Sequence, residues 1–100
     1  MLAHFAPHMK PKLHISGAGN VVVPAYLALQ QMGYRVRCEK LASGEEDWIA
    51  ESDTAIFSAP DVIMLLGLAK LGELRGESWE ASDIEIQDFL KKFGYEKPVG

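Results

Sequence analysis

Residues 34–39 alternate between apolar and charged side chains, and this alternation restricts the folds open to the chain more than any other feature. In an extended strand, Val36 and Cys38 point to one side while Arg35 and Arg37 point to the other. A sheet with such a strand has one face in water, whereas strands of doubly wound parallel sheets are buried on both faces. The pattern therefore predicts an α+β two-layer sandwich with helices on one face.

A glycine-rich turn precedes this strand. It consists of Gly17, Ala18, Gly19 and Asn20. Residues 12–16 before it alternate like a short strand, and residues 21–32 after it are almost entirely apolar up to Gly33. Strand, turn and helix in this order predict the start of a βαβ unit. Free backbone N–H groups at such a turn also suit a phosphate, so we keep anion binding there as an alternative to a purely structural turn.

Two β-prone segments, residues 48–51 and 54–59, predict a hairpin about Ser52-Asp53. A two-residue loop would place Trp48 opposite Phe57. The pattern leaves open which face of this hairpin belongs to the core.

Two further helices follow the hairpin. Pro60 and Asp61 suit the start of the second helix, which Gly76 ends, and Gly67 and Gly72 within it indicate close backbone approach. The third helix runs from a capping box, Ser82 with Glu85, to Gly94. Its apolar stripe is formed by Ile86, Phe89, Leu90 and Phe93.

The predicted order is β-α-β-β-β-α-α, in a mixed four-stranded sheet whose first two strands are parallel. Residues 1–11 are expected to be a disordered leader, residues 12–94 a single domain, and residues 95–100 a tail.

Charge is distributed unevenly along the chain. Residues 1–44 contain five Lys/Arg and one acid, whereas residues 45–100 contain five Lys/Arg and thirteen acids, and the net charge is −4. Nucleic acids and anionic membranes select cationic surfaces, so this balance argues against both and favours a basic protein partner. Cys38 stands alone, which suits a reducing compartment, and no apolar run reaches membrane-spanning length. We therefore expect a cytoplasmic protein.

No catalytic or cofactor-binding set emerges from the sequence. Gly17 and Gly19 fill the first two positions of a dinucleotide fingerprint, but Val22 stands in the third. Cys38 and His14 fall on opposite strand faces, which argues against a nucleophile and base, so a buried structural cysteine is expected. We expect neither enzyme activity nor a cofactor.

Four residues are candidates for contact with a partner: Glu45, Glu46, Asp47 and Trp79. The three adjacent acids form an exposed turn, which is more typical of solvated charge than of a metal site. Trp79 is either a plug between helices or an exposed anchor of the kind enriched at interfaces.

Four segments carry a resemblance to other proteins: ISGAGNVVVPAYLAL (residues 15–29), Gly33-Tyr34, WIAE (residues 48–51) and RGESW (residues 75–79). Over residues 13–93 the chain resembles a loose group of short, uncharacterised bacterial cytosolic proteins. The resemblance brings no activity and no catalytic residue. It implies an immunity-like or accessory role, because small acidic cytosolic proteins of this kind are often partners of toxins.

These observations predict a small cytosolic protein-binding module, immunity-like or accessory to a basic protein. The alternative is a small-ligand or phosphate-binding domain centred on residues 17–20. The apolar first helix has more apolar surface than one sheet face can cover, so its other flank is expected to pack against a neighbouring helix or against a second subunit in a homodimer.

Overall fold

The computed structural model describes residues 11–17 and 19–94. The elements are a 3-10 turn Gly19–Val21, α1 Val22–Gln31, β1 Arg35–Lys40, β2 Glu46–Glu51, β3 Ile56–Ala59, α2 Val62–Arg75, a second 3-10 turn Gly76–Ser78, and α3 Asp83–Lys92. The α+β class is confirmed. The predicted tail, and all of the predicted leader except Pro11, lie outside the described residues. Within the described ranges, no helix has the length and apolarity needed to cross a membrane.

The sheet is antiparallel and three-stranded, in the order β1-β2-β3. The predicted parallel strand at residues 12–16 is not part of it: these residues form no strand, and Leu13 and Ile15 are 88% and 73% exposed. The prediction was wrong because alternation only states which faces a strand would have. A strand also needs a neighbour for its backbone hydrogen bonds.

The β2–β3 hairpin has a longer loop than predicted. The Ser52 N–H donates to the Ala55 carbonyl at 2.8 Å, which closes a four-residue loop. Trp48 pairs with Ala59, so the predicted pairing of Trp48 with Phe57 was wrong by two residues. Because side chains alternate with a period of two, this shift leaves every side chain on its predicted face.

Helices α1 and α2 pack together on one face of the sheet. The core that they form consists of Ala25, Leu29, Tyr34, Ala50, Ala59, Val62, Leu65 and Ala69. Ala50 and Ala59 lie on the same side of the hairpin, which identifies this side as its core face. Arg35 and Arg37 are exposed on the other side, as the alternation predicts, although Ile49 across from Arg37 is buried.

Local signals define the helix ends. Asp61 is the N-cap of α2 and accepts a hydrogen bond from the Met64 N–H at 2.8 Å. The predicted stops Gly33, Gly76 and Gly94 all have positive φ, at 99°, 64° and 77°. A left-handed conformation costs glycine little, so these three stop predictions are confirmed.

Helix α3 has the predicted capping box but not the predicted packing. The Ser82 N–H donates to Glu85 Oε1 at 2.8 Å, and the Glu85 N–H donates to Ser82 Oγ at 3.2 Å. No residue of α3 is buried. Helices α1 and α2 therefore cover one sheet face, whereas α3 does not join them and projects away from the core.

Candidate partner-binding surface

An open groove of about 700 Å³ lies between β3 and the C-terminal half of α2. We call it the β3–α2 groove. Its walls come from residues 54–58 on one side and from Leu68, Leu71 and Gly72 on the other, and Trp79 also lines it. In the sheet of the described residues, β3 pairs only with β2, so the groove runs beside an unpaired strand edge.

The close contact of Gly72 with Phe57 shapes this groove. A Cβ atom built on Gly72 would lie 2.7 Å from Cζ of Phe57 and 2.9 Å from its Cε1. The prediction of close approach at Gly72 is thus confirmed, whereas a Cβ on Gly67 would meet nothing within 4 Å. Phe57 also contacts Tyr34 edge-on, with ring centroids 5.8 Å apart. The aromatic ring therefore occupies the space that a side chain at position 72 would need.

Trp79 is 51% exposed, so it is not a buried plug. Its backbone is held by Arg75, whose Nε donates to the Trp79 carbonyl at 2.9 Å and whose Nη2 donates to the Glu80 carbonyl at 3.3 Å. The same Nη2 lies 3.4 Å from Glu85 Oε1, which ties the start of α3 to the end of α2. Arg75 thus helps to position the indole at the groove by holding the backbone of Trp79 and of the residue that follows it.

The three predicted partner-binding acids, Glu45, Glu46 and Asp47, lie elsewhere. We call them the acidic turn after the prediction, but that prediction was wrong for two of them: Glu46 and Asp47 are the first residues of β2, and Asp47 is half-buried. They line a shallow depression of about 520 Å³ together with Ser58, Ala59 and Pro60. Glu46 is already engaged, because it lies 3.5 Å from Lys40 Nζ and accepts a hydrogen bond from Trp48 Nε1 at 3.1 Å. The structure therefore does not bring Trp79 and the acidic turn into one cluster.

Strand β3 nevertheless connects the β3–α2 groove with the depression that the acidic turn lines. The groove takes in residues 54–58 and the depression takes in Ser58, Ala59 and Pro60. The two concavities share Ser58 and follow β3 from its preceding loop to its end. Trp79 lies with the first part of this path and the acidic turn with the last.

The charged residues that line the β3–α2 groove are both acidic, Glu73 and Glu77. Glu73 pairs with Lys70 at 3.1 Å. The pKa of Tyr34 is raised, first by partial desolvation and then by the Glu73 carboxylate, with Lys70 acting against both. The groove is therefore an apolar surface with a negative border.

The opposite sheet face is balanced in charge. Arg37 lies 3.1 Å from Glu51 and 3.2 Å from Glu39, and hydrogen bonds to these two carboxylates raise its pKa. Trp48 and Phe57 belong to the helix-covered side, where they pack against the core cluster. The arginines and aromatic rings thus lie on different faces and do not form one stacking platform for nucleic-acid bases.

The glycine turn is described in part, because Ala18 lies outside the described residues. Gly17, Gly19 and Asn20 are exposed, and the last two belong to the 3-10 turn that leads into α1. Residues 11–17, the part before this turn that the structure describes, contain no strand, so the expected strand-turn-helix arrangement is not found there. Phosphate binding at residues 17–20 stays a prediction from the sequence.

Cys38 is exposed, so the expectation of a buried structural cysteine was wrong. Cys38 lies on β1, an edge strand of the sheet, in which Val36 is half-buried and every other residue is exposed. The pKa of the Cys38 thiol is raised by partial desolvation and then by the Glu46 carboxylate, which makes it a weak nucleophile at neutral pH. Among the described residues, no group of three or more His, Cys, Asp or Glu side chains is placed to hold a metal ion.

Sequence reasoning missed most of the groove. Leu68 and Leu71 read simply as core residues of an apolar helix, and nothing in the pattern indicates that the space beside them is open. The signal that could have found the place is Gly72, because a glycine inside a helix marks close approach. No model of a known protein family matches the sequence, and comparisons with curated proteins and with solved structures find no significant similarity.

Proposed function

We propose that the protein is a small cytoplasmic protein-binding module, immunity-like or accessory to a basic partner, and not an enzyme. One observation carries this proposal. The β3–α2 groove is an apolar surface beside an unpaired strand edge, and the charged residues that line it are acidic. Open strand edges bind extended segments through backbone hydrogen bonds, while neighbouring pockets select side chains.

The partner segment that fits best is extended, with apolar anchors and basic flanks. Apolar side chains would enter the groove between Phe57 and Leu71 and pack against Trp79. Lysine or arginine side chains beside them would meet Glu73 and Glu77. The acidic turn would meet basic residues farther along the same segment, because the depression that it lines continues the path of β3.

The acidic turn should act mainly on the rate of association. Electrostatic complementarity accelerates encounter more than it slows release. Reversing Glu45, Glu46 and Asp47 to lysine should therefore slow capture of the partner and flatten its dependence on salt. Asp88→Lys, on the exposed side of α3, is the control for the change in net charge that each of the three single reversals makes.

Trp79 should act on affinity. Trp79→Ala is expected to weaken the complex by about 2 kcal/mol or more and to leave the melting temperature nearly unchanged, as for a half-exposed interface anchor. Leu74→Ala is the matched control, since Leu74 is exposed on α2 but does not line the groove.

The experiment is capture from a lysate of the source cell with the wild-type chain as bait, identification of the retained protein by mass spectrometry, and surface plasmon resonance on the purified pair. Full retention by both the Trp79→Ala and the acidic-turn variants would refute the proposal. The exposed side with Arg35 and Arg37 would then be the next surface to test.

The homodimer expected through the first helix is kept as a proposal for a second contact. Val22, Val23 and Leu27 of α1 are exposed, so part of the apolar surface of this helix is left uncovered by the sheet and by α2.

A further inference from the structure

Helix α3 presents an apolar stripe that its own chain leaves largely exposed. Ile86, Phe89 and Phe93 are all exposed, and Leu90 is half-buried. Phe89 and Phe93 contact each other with ring centroids 5.0 Å apart. A helix of ten residues is marginal in water by itself, because isolated helices shorter than about 12–15 residues gain too little to offset their nucleation. The stripe is therefore suited to packing against another surface.

The chain holds α3 away from its own β3–α2 groove. Arg75 fixes the connection through the carbonyls of Trp79 and Glu80 and contacts Glu85 in the first turn of α3. No residue of α3 lines the groove. Helix α3 and the groove are thus two apolar surfaces of one chain that do not meet within it.

The C-terminal end of α3 is complementary in charge to the groove, whereas its first turn carries Asp83 and Glu85. The last turn of α3 carries Lys91 and Lys92, and Lys92 Nζ lies 5.7 Å from the centroid of the Phe93 ring. The groove carries Glu73 and Glu77 beside its apolar walls. A helix with aromatic anchors and adjacent lysines therefore matches an apolar groove with adjacent carboxylates, in the manner of amphipathic helices that bind in grooves.

We propose that α3 of a second copy of this chain occupies the β3–α2 groove, and that two chains exchange their α3 helices in a symmetric dimer. Reciprocal exchange is isologous, so each copy offers one helix and one groove and no surface is left over. The exchange would cover the Trp79 end of the partner-binding path. The dimer would therefore compete with a basic partner for that surface. This competition rests on the proposed function, whereas the dimer itself does not.

Two isoleucines of α3 provide a matched pair of variants. Ile86 lies on the apolar stripe, whereas Ile84 lies on the opposite side of the helix and is 73% exposed. Sedimentation velocity of the full chain at micromolar concentration should show a dimer for the wild type and for Ile84→Glu. Ile86→Glu should weaken the dimer by about tenfold or more, because a carboxylate would enter an apolar contact. Circular dichroism checks that both variants fold.

Charge exchange in trans tests the pairing directly. Glu77→Lys alone and Lys92→Glu alone each place like charges across both contacts and should weaken the dimer. An equimolar mixture of these two variant chains pairs opposite charges at both contacts and should restore it. An α3 that folds back onto its own groove would give no such rescue.

Three results would overturn the exchange. The first is a wild type that is still monomeric at roughly 100 μM, where even weak self-association should be detected. The second is an equal effect of Ile84→Glu and Ile86→Glu on the dimer, and the third is a dimer that is lost in Leu27→Glu on α1 but not in Ile86→Glu. A monomeric wild type that still captures a basic partner would leave the proposed function standing. A dimer that captures no basic partner would do the reverse.

Discussion

Replacing Gly72 with alanine tests whether the contact with Phe57 determines the residue at that position. Two effects oppose each other. Alanine favours a helix over glycine by about 1 kcal/mol. The new methyl group, however, would stand 2.7 Å and 2.9 Å from two carbons of the Phe57 ring, and overpacking of this kind costs about 1–3 kcal/mol. The free energy of unfolding of Gly72→Ala should thus lie between no change and a loss of about 2 kcal/mol.

Gly67→Ala is the matched control in the same helix. A Cβ at this position meets nothing within 4 Å, so the variant should gain about 1 kcal/mol without a clash. The two variants should differ by about 1–3 kcal/mol. With a urea m-value of about 1–3 kcal/mol/M, the unfolding midpoints should separate by roughly 1 M.

Urea denaturation followed by circular dichroism measures both variants. The double variant Phe57→Leu with Gly72→Ala completes a cycle, since leucine lacks the ring carbons that approach position 72. In the Phe57→Leu background, Gly72→Ala should stabilise the protein as Gly67→Ala does. If Gly72→Ala raises the midpoint as much as Gly67→Ala does in the wild-type background, the ring moves aside freely and the packing argument fails.

Three further predictions concern α3 and the single cysteine. Ser82→Ala should remove about 1 kcal/mol of local helix stability, measured as faster amide exchange in α3, with little change in the global unfolding midpoint because α3 is not part of the core; a shift of the core amides instead would contradict this. The pKa of Glu85 is lowered from its usual 4.5, first by the hydrogen bond from the Ser82 backbone N–H and then by Arg75. The Glu85 carboxylate therefore stabilises α3 when the pH is above the usual pKa, and this stabilisation is lost as the pH falls through the lowered pKa. Glu85→Gln should abolish this pH dependence of helicity, and an unchanged profile would exclude the capping contact as its source. Alkylation of Cys38 by iodoacetamide at pH 8 should be slower than that of an unstructured cysteine peptide and should accelerate in Glu46→Gln; equal rates in the wild type and Glu46→Gln would refute the electrostatic part of the argument.

The candidate site was predictable only in pieces. Trp79 stood out because tryptophan is enriched at interfaces, and the acidic turn stood out by its charge. The position of Trp79 relative to the acidic turn was not predictable. It depends on the path of β3 from the β3–α2 groove to the depression and on the Arg75 contacts that hold the Trp79 backbone. The groove between them required the register of the hairpin, which the sequence placed two residues off.

Local chemistry in the sequence determined where α2 and α3 begin, where the helices end, and which residues of each strand share a face, whereas the start of α1 has no side-chain cap. Asp61 and Ser82 cap helices through bonds to backbone groups three residues away, and Gly33 and Gly76 end helices because glycine tolerates positive φ. Tertiary structure decided the rest. Groups distant in the chain decide whether residues 12–16 pair with a neighbouring strand. They also decide whether α3 packs against another surface. A side-chain pattern states what a segment is able to bury, but the partner that covers it is set by packing across the whole fold.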